Sequence, residues 1–243
     1  RLVTNSKSFK MKKLFILIIS FSLQSMTILI DPGHGGAELG ASKFNDEKIV
    51  FEKDLTLKWA HILKKSLQER GHLVYLSRIQ DVTKSLQERA SLADQVKADF
   101  FLSLHFNASE IKEHNGFEMY YLDNASNKAI KKIESVENNE KLTSDHDLNK
   151  LLLDIIVTQT SQQSKFIARE IENNFIKSIT PKHHVRLRKT QAGLFYVLAL
   201  SQRPSLLLEA GFMSHLVELK KIEQDEYLQD LSEVIAKAMT SDK

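Results

Sequence analysis

Four residues stand at positions where a side chain could do chemistry. His34 lies in "DPGHGG" (31–36), directly after the apolar run "TILI". Glycine there admits positive φ and close backbone approach, so the chain turns sharply and leaves His34 at the C-terminal mouth of a strand. His105 closes "FFLSLH", where Leu102, Leu104 and Phe106 alternate with Ser103, His105 and Asn107 on the opposite face. Glu52 precedes Leu55 by three residues and Trp59 by seven, which at about 100° per residue aligns its carboxylate with an apolar helical stripe. Glu209 follows three leucines in "SLLLEAGF", an acid at the mouth of a strand that reads as buried on both faces. Burial raises the pKa of such a group unless a cation is near, and a carboxylate tuned toward neutrality serves as a general base.

Each residue alone has an ordinary structural reading: a tight turn, a hydrogen-bonded core histidine, a first-turn acid favoured by the helix dipole, a satisfied buried glutamate. Together they say more, because His34, His105 and Glu209 all fall at C-terminal ends of expected strands, the edge where open α/β sheets build their sites. Two histidines and a carboxylate (His34, His105 and Glu52) form a common catalytic zinc set that leaves one position open. With no cysteine in the chain, thiolate sites and disulfides are excluded, and a metal must be held by histidine and carboxylate. The rival pair, His183 and His184, is adjacent in sequence and poorly placed to converge on one ion, while His61, His72, His114 and His146 read as solvated.

These residues need a scaffold, and 243 residues at 42% hydrophobic content can bury a substantial single-domain core. A net charge of +3 is too mild to argue for nucleic acid. Short apolar runs alternate with helical patterns, which predicts an α/β layer fold. Strands are expected at 26–30, 72–77, 99–105, 117–122, 195–200 and 205–209, and helices at 50–70, 83–96, 148–179 and 217–239. "KSLQER" occurs at 65–70 and again at 84–89, with different flanks; it reads as coincidence between amphipathic helices.

Two segments fall outside this pattern. "MKKLFILIISFSLQS" from Met11 has a basic start, a short apolar stretch and small polar residues, the pattern of a secretory signal, so residues 1–25 are read as a signal with an upstream extension. That reading implies export to the periplasm or extracellular envelope, with membrane attachment only if the segment is retained. Residues 124–147 are polar and lack Phe, Tyr and Trp, and read as an insertion whose first half places Ile130, Ile133 and Glu137 on one helical face.

The motifs "ILIDPGHGG", "EKDLTLKWA", "LSRIQD" with "SLQERASLAD", "ADFFLSLHFNA", "GFEMYYL" and "LFYVLALSQRPSLLLEAGFMS", in this order, resemble the zinc-dependent N-acetylmuramoyl-L-alanine amidases among bacterial cell-wall hydrolases. The resemblance implies a catalytic domain over 26–243, built on a single mixed, mostly parallel sheet of about six strands flanked by helices. It implies one zinc ion at His34, Glu52 and His105, Glu209 as catalytic acid/base, and cleavage of the amide between N-acetylmuramic acid and L-alanine in peptidoglycan. Asp31, Ser103, Asn107 and Arg188 are candidates for supporting or substrate-side roles, Arg186 being the alternative to Arg188. The insertion resembles the regulatory helix of division-associated members, in which an acid plugs the zinc until a LytM-type activator withdraws it, and Glu137 is the candidate plug. His215 stands where the family commonly has Asn. A zinc carboxypeptidase acting on stem peptides and a non-catalytic peptidoglycan-binding protein are the competing readings.

Overall fold

The computed structural model describes residues 25–45, 48–123, 131–138 and 150–241. Residues 1–24 of the signal reading and most of the insertion, Ile130 and His146 included, lie outside the described residues. Among the described residues, no helix is long and apolar enough to cross a membrane.

A six-stranded sheet runs in the order β4-β1-β5-β8-β6-β7. Its strands are β1 (Thr27–Pro32), β4 (Leu73–Leu76), β5 (Phe100–Asn107), β6 (Glu118–Leu122), β7 (Gln191–Gly193) and β8 (Ser205–Phe212). β1, β4, β5 and β8 are mutually parallel, β6 runs antiparallel to β8, and β7 pairs parallel with β6. A separate hairpin, β2 (Ser42–Asn45) and β3 (Lys48–Phe51), leads into the first helix.

The central strands "FFLSLHFN" and "SLLLEAGF" are buried at every position because both sheet faces are covered. On one face pack α1 (Glu52–Gln68), α4 (Lys150–His183) and α7 (Asp225–Met239), with α6 (Leu216–Ile222) at the edge. α1 presents Leu55, Trp59, Leu63 and Leu67, spaced four apart, to this core. The other face is covered by α2 (Leu86–Gln95), α5 (Tyr196–Ser201) and the start of α4, around Phe101, Leu207 and Phe195. α2 starts on a capping box in which Ser85 and Glu88 satisfy each other's backbone N–H groups.

Two expectations are corrected. The segment 195–200 is helix α5, not a strand; "FYVLAL" buries Val197, Leu198 and Ala199 along one short helix that stops at Gln202 in the left-handed region, φ 51°. The sixth strand is the three-residue β7 instead. The single helix expected over 217–239 is two, because Gln224 adopts an extended conformation and caps a new helix, α7.

From β1 the chain crosses to β4 on one side, then passes back over β1 to β5 on the other. That reversal puts the switch point between β1 and β5, outside whose C-terminal ends a crevice must open.

Candidate metal centre

The crevice holds the residues singled out above. His34 follows β1 in a loop that departs from ordinary backbone geometry: its own φ is 58°, a left-handed conformation that a non-glycine residue adopts at a cost of about 1–3 kcal/mol. Two buried arginines hold it there. Arg78 donates to the carbonyls of Pro32 (2.9 Å) and Gly33 (2.9 Å), and Arg89 donates to those of Pro32 (2.9 Å) and His34 (2.8 Å). Arg89 also pairs with Asp31 at 2.9 Å. Asp31 further accepts from Ser77 and from Ser103 (3.2 Å), so the candidates Asp31 and Ser103 form a buried brace beneath the loop. Burial pushes the Asp31 carboxyl up, but Arg89 and Ser77 outweigh it and the net shift is downward.

Glu52 opens α1 and is fixed by two backbone donors, Ala41 N–H (2.7 Å) and Phe106 N–H (3.0 Å). Its two oxygens lie 3.2 Å from His34 Nε2 and 3.2 Å from His105 Nδ1 respectively. Burial opposes ionisation of Glu52, yet His34 and His105 hold its pKa well below the ordinary range. His105 ends up well above the ordinary histidine value, because Glu137 and Glu52 outweigh burial.

The arrangement fits a metal ion. Donor atoms of His34, Glu52 and His105 all lie within 4.8 Å of one another. Ligand atoms around a tetrahedral zinc at about 2.0–2.1 Å stand about 3.3 Å apart, close to the separations from Glu52 to each imidazole. His34 Nε2 is buried, and its 3.2 Å approach to Glu52 is an ion-pair contact without hydrogen-bond geometry. Two glycines leave room for the rings: a Cβ on Gly33 would meet His105 Nε2 at 2.6 Å, and one on Gly40 would meet Glu52 Oε2 at 2.6 Å.

Glu209 sits opposite His105 in the β5/β8 register, 1% exposed, and its Oε2 has no hydrogen-bond partner among the described residues. Burial, reinforced by the neighbouring carboxylates of Glu137, Glu52 and Glu118 and opposed by His105, pushes its pKa well above the carboxylate range.

Glu137 enters the same cluster from α3 (Lys131–Glu137): its Oε2 lies 3.0 Å from His105 Nδ1 and 4.0 Å from His34 Nε2. Glu134 and Asn138 anchor that helix. Glu134 accepts from Leu194 N–H (2.7 Å), while the Asn138 amide donates to Leu194 C=O (2.7 Å) and accepts from Tyr196 N–H (2.8 Å). α3 lies between two cavities, of about 400 Å³ and 520 Å³, both lined by His34, Gly40, Val136 and Glu137.

The family model for N-acetylmuramoyl-L-alanine amidases matches residues 28–241. The chain belongs to this amidase family. It is 29% identical to the amidase AmiA of Escherichia coli K12 over 223 residues, covering 88% of this chain and 75% of AmiA. It is also 29% identical to AmiC of Escherichia coli O6:H1 over 220 residues, covering 86% of this chain and 51% of AmiC, so it spans only about half of that relative. Among solved structures, an N-acetylmuramoyl-L-alanine amidase from Clostridium difficile 630 superposes with a TM-score of 0.61 at 28% identity, covering 88% of this chain and 94% of that one.

The candidate site contains residues that the sequence reading passed over. Arg78 and Arg89 grip the His34 loop, and Glu118 on β6 accepts from Asn107, Tyr120 and Arg188. Glu118 carried the same signal as Glu209, an acid inside an apolar strand, here "GFEMYYL". Of the two arginine candidates, Arg188 reaches the larger cavity, whereas Arg186 lends its backbone carbonyl to Phe117 N–H and is exposed. His183 instead bonds Asp230 at 2.6 Å, and among the described residues the metal-binding groups include neither His183 nor His184. His215 caps α6, its Nδ1 accepting from Glu218 N–H at 3.3 Å, so it fills the capping role open to an asparagine.

Proposed function

We propose that this protein hydrolyses the amide between the lactyl group of N-acetylmuramic acid and L-alanine in peptidoglycan. In this reading His34, Glu52 and His105 hold one zinc ion and Glu209 moves the proton. The observation that carries it is the convergence of two imidazoles and a carboxylate within 4.8 Å, with a buried glutamate paired to His105 in register whose Oε2 has no hydrogen-bond partner among the described residues. When bound, zinc supplies Lewis acidity toward the carbonyl oxygen and makes water a stronger acid.

The chain's own residues do the rest. Glu209, whose proton affinity is raised by burial, accepts a proton as water adds to the carbonyl carbon. As the C–N bond breaks, it returns that proton to the departing L-alanine nitrogen, leaving a carboxylic acid on the sugar side and a free amine on the peptide. Glu52, anchored by Ala41 and Phe106, fixes the orientation of both imidazoles.

Glu137 acts as the plug of a self-inhibited state, occupying the space between His105 and His34 until α3 moves. Withdrawal of α3 is assigned to an activator with a LytM-type domain. Export to the periplasm or extracellular envelope places the enzyme with its polymer.

The test is mass spectrometry of products released from purified peptidoglycan by the zinc-loaded protein and its Glu137→Ala variant. Stem peptides beginning with L-alanine, lost on chelation, are expected. Release of single amino acids would make it a carboxypeptidase, and no release by either folded, zinc-bound protein would make it a binding protein.

A further inference from the structure

Glu118 stands directly opposite Glu209 in the antiparallel register of β6 and β8, about one strand spacing of 5 Å away. It is 3% exposed, yet its position next to the acid/base candidate does not make it a second proton carrier. Both its oxygens are engaged: Oε2 takes Asn107 Nδ2–H at 2.8 Å and the Tyr120 hydroxyl at 2.8 Å, and Oε1 pairs with Arg188 Nε at 2.5 Å. A carboxylate so engaged serves to fix other side chains.

All three side chains it fixes, Asn107, Tyr120 and Arg188, line the 520 Å³ cavity beside Glu209. Because the Asn107 amide nitrogen is committed to Glu118, its carbonyl oxygen is the end left to accept a hydrogen bond. Because Glu118 holds Arg188 by Nε, and the Phe212 ring lies under the guanidinium at 5.6 Å, the edge carrying the two terminal nitrogens is left outward. One of these is 3.5 Å from Asn115 C=O, and the other makes no hydrogen bond among the described residues. Two parallel N–H groups on a planar fork match a carboxylate in a bidentate pair.

The 400 Å³ cavity on the other side of α3 differs in kind. Its arginine, Arg89, spends Nε on Lys84 C=O, one terminal nitrogen on Asp31 and Pro32 C=O, and the other on His34 C=O. Leu39, Leu86 and Val197 add apolar wall and Glu38 a further acid, a lining that suits an uncharged ring better than an anion.

We propose that Arg188 and Asn107 form a subsite for the peptide portion of the substrate, Arg188 taking a free peptide carboxylate and Asn107 Oδ1 a backbone N–H, with Glu118 as the positioning residue. The peptide then lies along β6 and β8 and the sugar on the Asp31 and Arg89 side. This rests on the amide-hydrolase reading above but is tested separately from it.

The experiment is calorimetric titration of the full-length protein with two synthetic peptides that begin with L-alanine and differ only in a terminal carboxylate or its primary amide. The wild-type protein should bind the acid about tenfold more tightly, the scale of one charge-assisted hydrogen bond net of desolvation. Arg188→Ala should bind both alike, Arg188→Lys should keep part of the preference, and Glu118→Gln should lose most of it at unchanged melting temperature. Equal binding of acid and amide by wild type, no binding of either, or a preference that survives Arg188→Ala would each overturn the subsite. Hydrolysis by the same preparation is scored independently: intact discrimination without amide cleavage removes the reaction and leaves the subsite standing.

Discussion

His105 and Glu209 face each other across the parallel strands β5 and β8, so the sheet register itself sets how close a ring of the candidate metal cluster stands to the buried acid. Glu209→Gln keeps shape and volume but cannot carry the proton. Turnover should fall by about 10²–10⁴-fold, the usual range for loss of general acid–base catalysis. Bound zinc, measured by elemental analysis, should stay near one per chain. Metal loss in this variant would make Glu209 a ligand instead.

Chelation should destabilise the fold. Zinc held at about a thousand times its dissociation constant adds about 4 kcal/mol, and a chain of this size shifts by about 2–4 °C per kcal/mol. Differential scanning fluorimetry should therefore show a rise of about 8–16 °C on zinc addition to wild type and none for His34→Ala or His105→Ala. An equal rise in these variants would place the metal elsewhere.

Releasing α3 should raise basal activity. The Glu134→Ala/Asn138→Ala double variant removes three hydrogen bonds to the 194–196 backbone, together on the order of 1.5–4.5 kcal/mol. Muramyl-peptide hydrolysis without activator should increase tenfold or more. Unchanged or lower rates in a folded protein would mean that α3 does not gate the site.

The brace under His34 predicts a pH signature. Asp31 is buried, and its folded-state pKa lies below the unfolded value of about 3.9 because Arg89 and Ser77 outweigh burial. The resulting stabilisation is therefore fully present above that unfolded value and is lost as pH falls through the depressed folded one. Asp31→Asn leaves Arg89 without its partner charge and should cost about 3–5 kcal/mol at pH 7 by urea denaturation. The gap should narrow toward pH 3. A gap independent of pH would assign the loss to packing.

Much of this site could be read from the sequence because its residues contradict their surroundings: His105 and Glu209 interrupt apolar strands, and Glu52 falls on an apolar stripe. The repeated hexapeptide shows where such reading stops. In the first "KSLQER" Arg70 follows the end of α1, half exposed beside Glu233. In the second, Ser85 caps a new helix and Arg89 is buried against Asp31. Identical local sequence meets different tertiary partners, and no periodicity separates the two. The segment 195–200 failed for another reason: six apolar residues satisfy a buried strand and a short buried helix equally, and only the neighbouring core decides.

Among the described residues, every atom that the Glu134 and Asn138 side chains grip belongs to the main chain of Leu194 and Tyr196. The dock thus offers a surface blind to its own side chains, which can drift through evolution without loosening the hold, proline excepted, since it would remove a donor. Under the proposed plug, the strength of the hold would be set by two side chains in and just after α3, Glu134 and Asn138, while the sheet stays untouched.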